Sequence, residues 1–239
     1  MNLNVNLNDI LFLDIETVPQ QAQWKALSKD TQLLFEKKTE YQRKEKYTPE
    51  EFYGRAGIWA EFGKIICISV GYFVTIDNSQ QLRVTSFYGD DEHKILTDFK
   101  KIVDKHFNKK RNVLCAHNGK EFDFPFIARR MIVNGVELPK KLNLFGKKPW
   151  EVPHLDTLEM WKFGDYKHYT SLKLLTATIG VPSPKNDIDG SEVARVYYKE
   201  KDIKRIVNYC EKDTIAVAQV LLRFNNQEIL KETDIVSVN

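Results

Sequence analysis

Short apolar runs ending in acidic or turn-forming residues fill the first half of the chain. Ile10-Leu11-Phe12-Leu13 leads into the acidic triplet Asp14-Ile15-Glu16 and stops by Pro19, the pattern of a buried strand whose end carries charge. Residues 64–75 and 82–88 are rich in β-branched and aromatic side chains and are separated by Asp77-Asn78-Ser79, which predicts an antiparallel hairpin. Between strand and hairpin, residues 20–62 change character. Gln20-Gln21, the charge-dense run 36–46 and the helix start at Thr48-Pro49-Glu50-Glu51 predict a helical insertion there. A helix over 91–108 follows, and then a short strand, 112–116, delivers the chain to the turn His117-Asn118-Gly119 before a helix ending near Asn134-Gly135. The remainder reads as helices over 155–163, 171–178 (stopped by Gly180), 191–199 and 202–224. Strands, then a strand-helix unit, then helices predict an α/β domain with a mixed sheet flanked by helices.

Composition narrows the class without naming a function. A chain of 239 residues that is 42% hydrophobic can bury one substantial core, so a single domain over residues 1–239, with its insertion, is expected. A charged fraction of 29% fits neither a disordered nor a membrane chain. The longest apolar tract, 65–76, is broken by Ser69, Gly71 and Thr75 and falls short of the ~20 residues that span a bilayer. The first residues lack the basic segment and apolar core of a secretory signal, which makes a cytoplasmic setting the expectation. Cys67, Cys115 and Cys210 stand far apart among apolar neighbours, as reduced, buried thiols do, without the paired spacing of a zinc site. A net charge of +3 is too small to establish a polyanionic partner.

The carboxylates carry more. Strand alternation places Asp14 and Glu16 on one face, a costly pairing unless a cation compensates, and oxygen ligands suit Mg²⁺ or Mn²⁺. A solvated strand end would show the same triplet, and Asp90-Asp91-Glu92 repeats its spacing after Gly89, where it reads as an acidic helix start. On the last helix, Ile206, Cys210, Val217 and Val220 define an apolar stripe on which Asp213 falls, one turn after Tyr209. A carboxylate there must be paired, protonated or metal-bound, and a Tyr-Asp hydrogen bond inside the core satisfies it too. Tyr198 and Asp202 have the same spacing, but Lys199-Glu200-Lys201 marks a polar helix junction. Asp123 sits in a first helical turn, where capping explains it as well as chemistry does.

In chain order these residues resemble the DEDD family of 3′-5′ exonucleases, most closely the proofreading-exonuclease domain of family-B DNA polymerases. Phe12-Leu13-Asp14-Ile15-Glu16-Thr17 resembles the first motif, and His117-Asn118-Gly119-Lys120-Glu121-Phe122-Asp123-Phe124-Pro125-Phe126 the second. Tyr209-Cys210-Glu211-Lys212-Asp213 resembles the third and, with Asn at position 208, its tyrosine branch. The likeness covers most of residues 9–225, and the 20–62 insertion has no general counterpart. The rest of these 239 residues is too short for a polymerase domain, so the expectation is a stand-alone exonuclease, similar to bacterial proteins predicted to be exonucleases. The resemblance implies a ribonuclease-H-like fold and 3′-5′ hydrolysis of terminal phosphodiester bonds by a two-metal-ion mechanism. Two Mg²⁺ or Mn²⁺ ions would be held by Asp14, Glu16, Asp123 and Asp213, with Tyr209 orienting the attacking water and Thr17, Asn118 and Phe122 contacting substrate. The implied partner is nucleic acid with single-stranded 3′ ends, DNA favoured over RNA. Nothing here reads a 2′-hydroxyl, so an RNA-directed exonuclease stays open, as does a nucleic-acid-binding module whose acids only support the fold.

Weaker signals remain. Lys140-Lys141, Lys147-Lys148 and Trp150 form a basic loop with an aromatic, suited to a phosphate backbone or simply to solvent. His154 and Asp156 fit either support of the site or a helix start. Asp187 and Asp189 approach the metals or, for Asp189, cap the next helix. The basic run 37–46 grips substrate or faces water.

Overall fold

Strand β1, Ile10–Pro19, is apolar on both sides because both of its faces are covered. Side chains alternate along it: Ile10 and Phe12 meet Val217 and Leu221, while Leu11, Leu13 and Ile15 enter a second cluster with Phe99, Phe124 and Ile127. The computed structural model describes residues 5–44, 46–77, 79–165, 167–182 and 188–238. Around β1 it builds the expected hairpin: β2 (Gly63–Ile76) pairs antiparallel with β1, and β3 (Ser79–Tyr88) pairs antiparallel with β2. β4 (Val113–Ala116) and β5 (Leu155–Asp156) add in parallel on the other side, and β6 (Ile235–Ser237) runs parallel to β3. The order β5-β4-β1-β2-β3-β6, with helices on both faces, is the mixed α/β sheet expected of a ribonuclease-H-like fold.

Residues 20–62 form the helical insertion, with α1 (Lys29–Arg43) and the single turn α2 (Pro49–Phe52). It has its own aromatic core. Phe35 is fully buried, with the rings of Trp24, Tyr53, Trp59 and Phe62 at centroid distances of 5.2–6.0 Å. The Thr17 hydroxyl ties the insertion to the end of β1 by donating to the Gly57 carbonyl at 2.8 Å.

Helices α3 (Glu92–His106) and α4 (Asp123–Val133) share one core cluster with the odd-numbered side of β1, and further along the chain come α5 (Thr157–Lys162), α6 (Leu172–Ile179) and α7 (Val193–Arg195). The long α8 (Ile203–Phe224) covers the other face. Besides the unexpected β6, two predicted helices depart from expectation. The helix expected over 155–163 begins as β5, whose two residues are too few for alternation to show, and the one expected over 191–199 is a short α7 opening into a π-helical turn, Val196–Glu200. That wide turn directs the Tyr197 hydroxyl to the Asp90 carboxylate and the Tyr198 hydroxyl to the Pro19 carbonyl.

The acidic helix start at Asp90-Asp91-Glu92 is only half correct. Asp91 caps α3 by accepting from the Lys94 N–H, but Glu92 turns inward. Its carboxylate accepts from the Arg130 guanidinium at 2.6 and 2.9 Å and from the Ile65 N–H at 2.7 Å, and both side chains of the ion pair are over nine-tenths buried. Arg130 also donates to the Ala60 carbonyl, so one pair joins α3, α4, β2 and the insertion. Glu92→Ala strands the Arg130 charge and should cost about 3–5 kcal/mol, read as a lower urea midpoint, whereas Lys94→Ala, which removes an exposed pair, should leave that midpoint essentially unchanged.

Candidate active site

The ladder between β4 and β1 pairs Ile10, Leu11 and Phe12 with Val113, Leu114 and Cys115, and β4 then ends while β1 runs on to Pro19. The Ile15 N–H lies beyond that ladder, and the Asp123 carboxylate accepts from it. Asp123 is the first residue of α4 and also accepts from its own N–H. Asp14 and Glu16, two apart on β1, face α8, and a bulge between Glu16 and Thr17 ends the regular pairing with β2. The Cys210 thiol on α8 lies 3.3 Å from an Asp14 carboxylate oxygen, and ligand atoms of Asp14, Glu16 and Cys210 all fall within 4.8 Å of one another.

The loop that carries Asp123 to β1 is held by two local devices. Asn118 adopts a left-handed conformation (φ 62°), and Gly119 passes so close to β4 that a Cβ there would lie 2.5 Å from Ala116 Cβ. Asp156 supplies the other. Its carboxylate accepts from the N–H groups of Asn118 and Lys120, both at 3.0 Å, and from that of Leu158 at 2.9 Å, so it caps α5 and fixes the loop together. The two readings of Asp156 were not alternatives. His154 is structural: buried and held near pKa 4 by burial, it accepts from the Leu114 N–H and donates to the Lys141 carbonyl. His117 is kept below its ordinary pKa by burial and bridges the Thr157 hydroxyl and the Thr170 carbonyl.

Burial, with charge crowding second, sets the electrostatics of the site. Burial, and then the charges of Glu16, Asp213 and Asp123, push the Asp14 carboxyl well above the carboxylate range, against which only the Cys210 thiol acts. Glu16 is raised by burial and by Asp213, Cys67 and Asp123, and Asp123 is raised to about 8, chiefly by burial. Among the described residues no lysine or arginine forms an ion pair with Asp14, Glu16 or Asp123. Tyr209 is raised by burial and then by Asp213, Glu16 and Asp14, and it hydrogen-bonds to Asp213, so the phenol stays protonated. A cavity of about 370 Å³ opens here, lined by Asp14, His117, Tyr169, Lys173, Tyr209 and Asp213.

The fold thus brings Asp14, Glu16, Asp123, Tyr209 and Asp213 to one place. Asp213 is half-exposed at the cavity wall rather than on the buried stripe, which Ile206, Cys210, Thr214 and Val217 occupy. Phe122 is half-buried, its ring 5.3 Å from that of Phe126. Asp189 bonds the Ser191 N–H and hydroxyl, as a helix-start residue does, and also borders the cavity, whereas Asp187 lies outside the described residues. Sequence reasoning passed over Cys210 because an apolar stripe absorbs a cysteine, although it stands between Tyr209 and Asp213 in the third motif.

A carboxyl whose folded pKa is raised binds its proton more tightly in the folded chain, so it costs stability as pH climbs from the ordinary value near 4 to the raised one. In chelator, the protein should melt at a lower temperature at pH 8 than at pH 6, and Asp123→Asn should flatten that dependence. Melting is followed by circular dichroism at both pH values; a wild-type midpoint that rises with pH contradicts the burial of this charge.

The family model described as "Predicted 3'-5' exonuclease related to the exonuclease domain of PolB" matches residues 58–235. That span includes Asp123, Tyr209 and Asp213; Asp14 and Glu16 precede it and reach the same site through the pairing of β1 with β2 and β4. Three of the five clustered residues fall inside a match covering most of the chain, and the chain belongs to this family of predicted 3′-5′ exonucleases, hydrolases of phosphodiester bonds in nucleic acid.

Proposed function

We propose that this chain acts as one domain, a metal-dependent exonuclease that trims single-stranded 3′ ends of DNA, in a cytoplasmic setting and in the service of DNA repair. The observation that carries this reading is the gathering of four carboxylates beside a cavity that Asp14 and Asp213 line, with no lysine or arginine among the described residues paired to Asp14, Glu16 or Asp123. Oxygen donors crowded in this way fit hard divalent cations, and Asp14, Glu16, Asp123 and Asp213 would hold two Mg²⁺ or Mn²⁺ ions. When bound, such ions lower the pKa of a coordinated water and neutralise charge on the phosphodiester under attack.

The chain's own groups do the rest. Tyr209 keeps its proton at neutral pH, so it orients the water through its hydroxyl and does not act as the base. The Cys210 thiol, against the Asp14 carboxylate, restrains that side chain's rotation. Asp156 holds the loop at Asn118 and Lys120 that leads to Phe122, a half-buried ring that would offer a stacking surface to the terminal base, and Asn118 and Thr17 would border the terminal nucleotide. The relation of the family to a DNA polymerase's exonuclease domain favours DNA over RNA.

Digestion of end-labelled single-stranded DNA and RNA with Mg²⁺, Mn²⁺ or chelator tests this. Asp14→Ala and Asp213→Ala should lose at least about a hundredfold in rate, and DNA should outcompete RNA. Tyr209→Phe should lose on the order of ten- to a hundredfold in rate while its Mn²⁺ affinity is unchanged. Equal rates in wild type and both alanine variants, or no metal-dependent cleavage by wild type, contradict the proposal.

A further inference from the structure

A second cleft, of about 430 Å³, begins where the acid cluster ends: Lys120 and Glu121 of its wall immediately precede Phe122 and Asp123. Its floor is apolar. Pro125, Ala128 and Ile132 project from the outer side of α4, and Leu142, Leu144 and Phe145 close it from the loop that follows. Ile132 is 54% and Phe145 73% exposed, so the chain itself leaves this surface uncovered. The rim is basic. Among the described residues neither Arg129 nor Lys147 has an ion-pair partner, Lys148 lies over the exposed Trp150 ring at 5.3 Å, and residues 139–150 hold four lysines and no acid. Two cations are already engaged: Lys120 pairs with Glu159 at 2.7 Å, and Lys141 donates to the carbonyls of Lys109 and Asn112. Glu121 is a second acid on the rim.

We propose that this cleft is a second binding site for the substrate strand, seating nucleotides upstream of the 3′ end after the strand passes Lys120. The inference rests on the exonuclease reading and extends it. An apolar floor with an exposed aromatic ring accepts the faces of unpaired bases, and unpaired cations above it meet the phosphates; neither reads base edges, so the site tolerates any sequence. α4 extends about 16 Å at 1.5 Å per residue, room for on the order of three to five nucleotides. The unpaired basic rim favours a polyanion over an apolar protein helix, and the continuity of the wall with the second motif places it on the path of the strand.

The test is the length dependence of binding and cleavage. Fluorescein-labelled oligothymidylates of three to twelve nucleotides are titrated in chelator, and their cleavage with Mg²⁺ is timed separately. Wild type should bind more tightly as length grows and then level off. Phe145→Ala and the double variant Arg129→Ala/Lys147→Ala, all at exposed positions, should bind the longer oligonucleotides about tenfold more weakly, with unchanged rates on the trinucleotide. The double variant should also show a shallower salt dependence than wild type. Unchanged affinity for the long oligonucleotides in both variants overturns the proposal and leaves the cleft to a protein partner. Loss of cleavage of the trinucleotide as well also overturns it, since the cleft would then act through the acid cluster. Length-dependent binding that these variants weaken, without cleavage by wild type, would remove the exonuclease reading and keep the cleft.

Discussion

The burial of Asp14, Glu16 and Asp123 close together, with Asp213 beside them, is the constraint around which the molecule is organised. Burial first, and for Asp14 and Glu16 the neighbouring acids next, raises these carboxyls, and a chain free to move would return them to water. The fold prevents that. β1 is pinned between strands on both edges and packed on both faces, so Asp14 and Glu16 cannot leave the α8 side. The short β4 returns the chain through Asn118 and Gly119 to place Asp123 on the Ile15 N–H, and α8 supplies Asp213 with Tyr209. The core therefore holds a cost that the divalent cations proposed for this site would relieve.

Supports lie one layer out and are made of ordinary parts. Asp156 uses one carboxylate to start a helix and to hold the second motif's loop, and the Glu92–Arg130 pair fastens α4 to α3 and to the insertion. The insertion packs an aromatic core around Phe35 and is anchored to the end of β1 through Thr17. Thr17 thus has a structural duty beside the substrate contact proposed for it.

Much of this was legible in the residues because it obeys short periods. Alternation along β1 puts Asp14 with Glu16, the four-residue step puts Tyr209 with Asp213, and the hairpin and long helices follow from β-rich runs and capping residues. What escaped depends on partners distant in the chain. β5 and β6 are too short to show a pattern, and Glu92 is indistinguishable from a helix-start acid until Arg130, 38 residues away, is placed beside it. Cys210 reads as core because it is core, and only the return of Asp14 to its thiol makes it part of the site.

Mn²⁺ titration by calorimetry, joined to anomalous diffraction from Mn²⁺-soaked crystals, probes the shared acid cluster itself. Two ions per chain, with one lost in Asp123→Asn and binding severely weakened in Asp14→Asn, is the expected result. No ion among these four carboxylates in the wild type, or the same occupancy in all three proteins, would show that the acids are gathered for another reason.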